Sequence, residues 1–272
     1  MQNDLRMLLI FAHPDDESWG MGTVAAKYAR EGVEISLLCA TRGEVGWPGA
    51  AADNPGPQAL GRMREGELHA AALELGVRRV EFLDILDGQL DRADPRQAIA
   101  RIVTLIRKVR PQVVVTFGPD GDYGHPDHVA ICQLSCAALV CAADSAYPSP
   151  GGAAQRVDKF YYLVNSPQLG QLLRKYVGEP GIEVGGVQRS LVCWPDWAIT
   201  TRVTLDREED WQTARRAFLC HRTQLPGLGA IEQMPDEVWR EILLAQNAFY
   251  RVFSLVGGPG SRLENDLFTG IL

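Results

Sequence analysis

The stretch Met7-Leu8-Leu9-Ile10-Phe11-Ala12, followed at once by His13-Pro14-Asp15-Asp16-Glu17, decides how the chain is read. A short continuous apolar run that ends in a polar turn is the pattern of a strand buried on both faces of a sheet. Outward from it the pattern alternates. Glu17 to Gly32 reads as a helix closed by a glycine, and Val33 to Ala40 as a second apolar strand. Leu60 to Gly76 is helical, with Leu68, Ala71, Ala72 and Leu75 on one face and Gly76 as its stop. Val80 to Leu83 is a short strand. Asp94 and Pro95 open the next helix as cap and first-turn residue, and Ile99, Ile102, Val103, Ile106 and Val109 form its stripe. Val113 to Gly118 is another buried strand, and a long helix runs from about Asp127 to Ala143. The expected fold class is α/β: a Rossmann-like, mostly parallel, doubly wound sheet with helices on both faces and right-handed crossovers.

The second half is less regular. Lys159 to Asn165 and Ile199 to Leu205 read as strands. Arg207 to Arg222 reads as a helix capped by Asp206 with Glu209 three residues on, and Pro235 to Asn247 starts another helix. The Pro- and Gly-rich stretch Ala146 to Ala154 reads as a surface loop, so residues 1–272 are expected to form one domain. The chain has 272 residues, of which 46% are hydrophobic and 22% charged, which excludes a disordered chain or a disulfide mini-scaffold. A net charge of −7 argues against nucleic acid or an anionic membrane as partner. The most apolar run, Val129 to Ala143, falls short of the about 20 residues a membrane span needs. Met1 to Arg6 is polar, and no signal peptide is read. The six cysteines form no C-x-x-C pair and sit mostly among apolar residues, Cys39 among them in the core. Free thiols in the cytoplasm are the expectation.

Two clusters carry chemistry: His13-Pro14-Asp15-Asp16-Glu17 and His125-Pro126-Asp127-His128. Each follows a buried strand and precedes a helix. In an open parallel sheet ligands bind beyond the carboxyl ends of the strands, so the two clusters are expected to converge. Read alone, Asp16 or Asp127 is a helix N-cap and a single histidine is structural. Three of the five histidines in two matching positions favour a metal site instead. Two imidazoles and a carboxylate are the ligand set of a hydrolytic Zn2+, which keeps a fourth position for water and lowers its pKa to about 7. Other divalent ions such as Fe2+ or cobalt suit the same donors. The surplus acids and histidine are available as general base, general acid and orienting groups.

The first cluster resembles the first motif of the PIG-L/LmbE family of zinc-dependent N-deacetylases. His125-Pro126-Asp127-His128, with Tyr123-Gly124 ahead of it, resembles the second. Thr41-Arg42-Gly43-Glu44 is similar to the family's T-x-G-E turn, Arg64 through Val77 to the helix after it, and His221-Arg222-Thr223-Gln224 to a His-x-Ser-Gln element. The likeness covers residues 7 to about 145 well and the rest thinly. It implies that His13, Asp16 and His128 bind zinc and that Asp15 is the general base. It further implies that His125 is general acid or electrostatic stabiliser, oriented by Asp127, and that Tyr123 approaches the oxyanion. Arg42, Glu44, Arg64, Asp87 and His221 become candidates for substrate contacts; His69 is read as structural. Trp47 reads as a sugar-stacking group or a packing anchor. The implied activity is removal of acetyl from an N-acetylglucosamine-type sugar, such as the conjugates on the way to low-molecular-weight thiols. Alternatives are amide cleavage in a thiol conjugate or a natural product, and a non-catalytic sugar- or metal-binding protein. The implied partner is a small acetylated aminosugar, and a homo-oligomer is compatible. A nucleotide-binding oxidoreductase would need G-x-G-x-x-G after the first strand, where this chain has carboxylates that repel a pyrophosphate.

Overall fold

The computed structural model describes residues 4–179, 181–229, 231–257 and 263–271. In chain order its elements are β1 (Arg6–Phe11), α1 (Asp16–Trp19), α2 (Gly22–Arg30), β2 (Glu34–Cys39), α3 (Pro57–Leu75) and β3 (Arg79–Phe82). Then come α4 (Pro95–Val109), β4 (Val113–Phe117), the distorted turn α5 (Gly121–Gly124), α6 (Pro126–Ala143), β5 (Lys159–Leu163) and α7 (Pro167–Tyr176). The chain closes with β6 (Gly181–Val184), β7 (Val187–Ser190), β8 (Thr201–Arg202), α8 (Glu208–Phe218), α9 (Asp236–Ala245) and β9 (Ala248–Ser254).

Seven strands form one sheet in the order β3-β2-β1-β4-β5-β9-β8, parallel from β3 to β5 and antiparallel at β9 and β8. Apart from Arg6 and Thr116, β1 and β4 are apolar because both faces of the sheet are covered there. On one side α2, α3 and α8 pack together; α4 and α6 pack against each other on the other. The winding runs outward from β1 through β2 to β3 and then crosses to β4. The crevice at the carboxyl ends of β1 and β4 is therefore the switch point of the sheet.

The early strands fall within a residue or two of their expected bounds, and four departures have physical causes. The helix expected over Glu17 to Gly32 breaks at Gly20-Met21-Gly22. A β-carbon on Gly20 would lie 2.5 Å from Leu163 Cδ2 of β5, and one on Gly22 3.0 Å from the Ala214 side chain of α8. The chain there is wedged between sheet and helix and changes direction. α3 begins at Pro57, ahead of Leu60, because the proline takes the first helical turn. α8 is capped by Arg207, not Asp206, with no side-chain cap bond, so the box expected between Asp206 and Glu209 does not form; Glu208 in the first turn accepts from the Trp211 indole N–H and Arg240. The strand expected over Ile199 to Leu205 keeps only Thr201–Arg202, at the sheet edge. α7, the β6–β7 hairpin and β9 lie outside the expected elements, although α7 carries helix signals in Ser166 as cap, Pro167 in the first turn and Leu169, Leu172, Leu173 and Tyr176 at helical spacing. α6 is the helix, among the described residues, long and apolar enough to cross a membrane; over half of it is buried, against α4 and the sheet. The loop after it is pinned by buried Arg107, which donates to the carbonyls of Cys141, Ala142, Asp144 and Tyr147. All six cysteines are unpaired.

Candidate active site

His13 leaves the end of β1 and is nearly buried at the switch point. Its Nδ1 lies 3.1 Å from His128 Nε2. Asp16 completes the group: its Oδ2 is 3.9 Å from His13 Nδ1 and its Oδ1 is 3.5 Å from His128 Nε2. The Asp16 carboxylate is held by the backbone N–H groups of Ala12 and His13, which donate to Oδ2 at 3.1 and 2.8 Å. His128 stacks on Phe117 at the end of β4, with ring centroids 3.9 Å apart. Donor atoms of His13, His125 and His128 also gather within 4.8 Å of one another.

The far side of His13 meets carboxylates. Its Nε2 is 3.1 Å from Asp87 Oδ1 and 3.3 Å from Asp127 Oδ2. These acceptors hold a proton on Nε2 and turn the Nδ1 lone pair toward His128 and Asp16, the arrangement that orients a metal-binding histidine. Burial disfavours charge on His13, yet the hydrogen bonds to Asp127 and Asp87 lift it to about 10. Burial, with neighbouring Asp15, pushes Asp16 up to about 8 against the pull of His13. A point that stabilises an added proton this strongly, beside a carboxylate reluctant to ionise alone, is suited to a divalent cation. The donor set therefore fits a metal ion at His13, Asp16 and His128.

Asp127 is fully buried. It is expected to orient His125, but its carboxylate turns to His13 and to the loop after β3, accepting from Gly88 N at 2.8 Å and Leu90 N at 3.1 Å. What orients His125 is the Asp127 backbone N–H, which donates to His125 Nδ1 at 3.1 Å. That bond makes His125 the N-cap of α6 and leaves Nε2 as the protonated, outward donor. Burial, reinforced by the His13 charge, lowers His125 to about 4, so its ring is neutral at pH 7. Tyr123 is half-buried over the same group, its ring centroid 5.9 Å from His125 and 5.2 Å from His128. Asp122, before it, has φ 69° inside α5, and this kink turns the segment.

Asp15 caps α1 with φ 112°, a left-handed conformation that L-residues avoid. Arg64, buried on α3, donates to Asp15 Oδ2 at 3.0 Å, Pro14 O at 2.6 Å and Gly43 O at 3.0 Å, and so joins the β1 and β2 loops. Glu17 Oε2 accepts from Asp15 N at 3.1 Å, and Glu17 Oε1 pairs with His221 Nε2 at 2.8 Å, both residues buried. Burial opposes both charges in this pair, but their attraction raises His221 and lowers Glu17. His221 thus sits behind the site, on Glu17. Asp87 and Glu44 brace the loops: Asp87 Oδ2 accepts from Val45 N at 3.2 Å, and Glu44 Oε2 accepts from Asp87 N at 3.2 Å and Arg42 N at 3.1 Å. Burial works against ionisation of Asp87, but the contact with His13 outweighs it and holds the carboxyl at about 2. Arg42 is not brought to the His13 group; it is spent on Glu65 at 2.6 Å and Asp84 at 2.7 Å, over the Phe82 ring. Trp47 donates to Ala50 O at 3.0 Å and closes its own loop, and His69 is exposed on α3.

Comparison with known proteins bears on this geometry. Residues 8–139 match the PIG-L family model, described as GlcNAc-PI de-N-acetylase. The 1D-myo-inositol 2-acetamido-2-deoxy-alpha-D-glucopyranoside deacetylase of Streptomyces avermitilis is 39% identical, with 98% of each chain covered. The chain belongs to the PIG-L/LmbE family of deacetylases. Among solved structures, the N,N'-diacetylchitobiose deacetylase of Pyrococcus horikoshii superposes with a TM-score of 0.62 at 19% identity, over 88% of this chain and 74% of its own. The 4-carboxy-2-hydroxymuconate hydratase of Pseudomonas putida superposes at 0.65 with 21% identity, over 94% of this chain and 100% of its own. A deacetylase and a hydratase on one fold show that the fold alone does not name the reaction.

Sequence reasoning gave Glu17 no role, although it lies within the first motif; a buried acid two residues after Asp15 was the available signal. Glu67, which accepts from Thr223 N at 2.9 Å and Thr223 Oγ1 at 2.7 Å, offered none, since its partner is far away in sequence.

Proposed function

We propose that the protein hydrolyses the acetamide of an N-acetylglucosamine conjugate, releasing acetate and the free amine, in the cytoplasm. The observation that carries this is the convergence of His13, Asp16 and His128 with Asp15 and His125 at one end of the sheet. His13, Asp16 and His128 would hold the ion, which we take to be Zn2+. When bound it supplies Lewis acidity for water and for the amide carbonyl.

The chain's own groups do the rest. Asp15, less buried than Asp16, takes the proton of the attacking water; burial raises its pKa against the pull of Arg64, which favours accepting that proton. Arg64 aims the Asp15 carboxylate and keeps its loop closed. His125, neutral and with Nε2–H outward, donates to the carbonyl oxygen as negative charge develops, and the Tyr123 hydroxyl assists. Having taken the proton of the water, Asp15 delivers it to the leaving amine. The sugar preference is supported by the relative that acts on an inositol-linked 2-acetamido glucoside.

Asp15→Asn keeps shape and reach but cannot accept a proton. It is expected to hold its metal and bind substrate while kcat falls by about 10² to 10⁴. Asp16→Asn is expected to lose metal. The reverse pattern of metal loss would exchange the two roles, and full activity in both variants would overturn the mechanism.

A further inference from the structure

The β6–β7 hairpin has no part in the mechanism above, yet it reaches the site. Its exit is bonded to the turn that carries Tyr123 and His125: Val192 N donates to Asp122 O at 2.8 Å, and Asn165 Nδ2 bridges Val192 O and the Asp122 carboxylate. On β7, Arg189 pairs through its backbone with Ile182 and sends its guanidinium back to this turn. A β-carbon on Gly124 would lie 3.1 Å from Arg189 Nη1, so the guanidinium rests against the residue next to His125. Its charge is among the influences that disfavour protonation of His125.

Arg189 differs from the other arginines of the site. Arg42 is consumed by Glu65 and Asp84, and Arg64 by Asp15 and two carbonyls. The Nε atoms of Arg64 and Arg189 are both buried without a hydrogen-bond partner, but the Arg64 Nη groups are bonded, whereas among the described residues the Arg189 guanidinium makes no ion pair. A buried donor left unmade is costly, so at the edge of a site it is open to an acceptor from outside the chain. In a 2-acetamido sugar the glycosidic substituent is on the carbon next to the acetamide. A cation flanking the residue that engages the acetamide is therefore placed for that substituent.

We propose, resting on the deacetylase reading, that Arg189 recognises the aglycone of the substrate by offering its planar fork to a pair of oxygen acceptors. Vicinal hydroxyls of a polyol and a carboxylate both present such a pair, the carboxylate with the better charge match. The test uses the amine products, which cannot turn over, titrated calorimetrically into the protein as isolated. The probes are glucosamine, its inositol glycoside and its malate glycoside. Arg189→Met is expected to weaken binding of at least one glycoside by about 10- to 100-fold and leave glucosamine affinity unchanged. The glycoside that loses affinity identifies the source of the oxygens. Arg189→Lys, which keeps the charge and loses the fork, is expected to fall between. Unchanged affinity for both glycosides, an equal loss for all three probes, or failure of the wild type to bind either glycoside would overturn the proposal. Amine release from the acetylated glycosides is measured separately: its absence, with Arg189-dependent binding intact, would sink the deacetylase reading and leave the assignment of Arg189 standing.

Discussion

Asp15 holds a backbone conformation, φ 112°, that costs on the order of 1–3 kcal/mol for a residue with a β-carbon. Arg64 and Glu17 hold it there, and the strain sets its carboxylate beside Asp16 without duplicating it. The same division of labour applies across the second motif. His128→Ala is expected to lose bound metal, because two donors retain a divalent ion far less well than three. Tyr123→Phe and His125→Ala are expected to keep the metal and lose about 10² to 10³ in kcat. Metal content by elemental analysis and kcat on the same preparations separate the two groups; metal loss in His125→Ala would put that ring among the ligands. The two His-Pro-Asp motifs were legible because each packs several chemical groups into a few residues after a strand. The Glu17–His221 pair and the approach of Arg189 to Gly124 were not: each joins residues far apart in sequence, and only the fold brings them together.

Elements place these residues through carboxylates that join one to the next. Asp127, in the first turn of α6, closes three donors at once: His13 from the β1 loop, and Gly88 N and Leu90 N from the segment after β3. Asp127→Asn replaces one acceptor oxygen with an amide N–H that faces a donor. It is expected to destabilise the fold by about 1–3 kcal/mol, read as a lower urea midpoint. An unchanged midpoint would mean that the loop and α6 are held by packing alone. At this scale the alternating strands and helices of the first half were legible from continuous apolar runs and from stop residues such as Gly76 and Pro111. The break at Gly20–Gly22 was not, since it is imposed by Leu163 and Ala214 from distant elements. β9 was missed because a strand near the sheet edge, half covered, carries neither a continuous nor an alternating apolar pattern.

Over the whole molecule, the far end of the sheet is tied by Glu264. Its carboxylate accepts from Lys159 Nζ at 3.0 Å and from Tyr161 OH at 2.8 Å, and pairs with Arg251, joining the C-terminal segment to β5 and β9. Burial raises the Glu264 pKa, but Lys159 and Tyr161 outweigh it and hold it below the ordinary value. A carboxylate depressed in the folded state adds stability above its unfolded pKa of about 4.3 and loses it as the pH falls through the lower folded value. Glu264→Gln is therefore expected to be less stable than wild type at pH 7, with the gap narrowing below about pH 4. Urea midpoints at the two pH values check this, and a gap independent of pH would assign the effect to packing. The central claim concerns the other end of the sheet, where the switch point gathers a metal-dependent deacetylase site. Its most direct test is amine release from the inositol glycoside of N-acetylglucosamine, before and after chelation and after a divalent ion is restored. The expected result is release that chelation abolishes and the ion recovers; release untouched by removal of all metal, or none from metal-loaded protein, would contradict it.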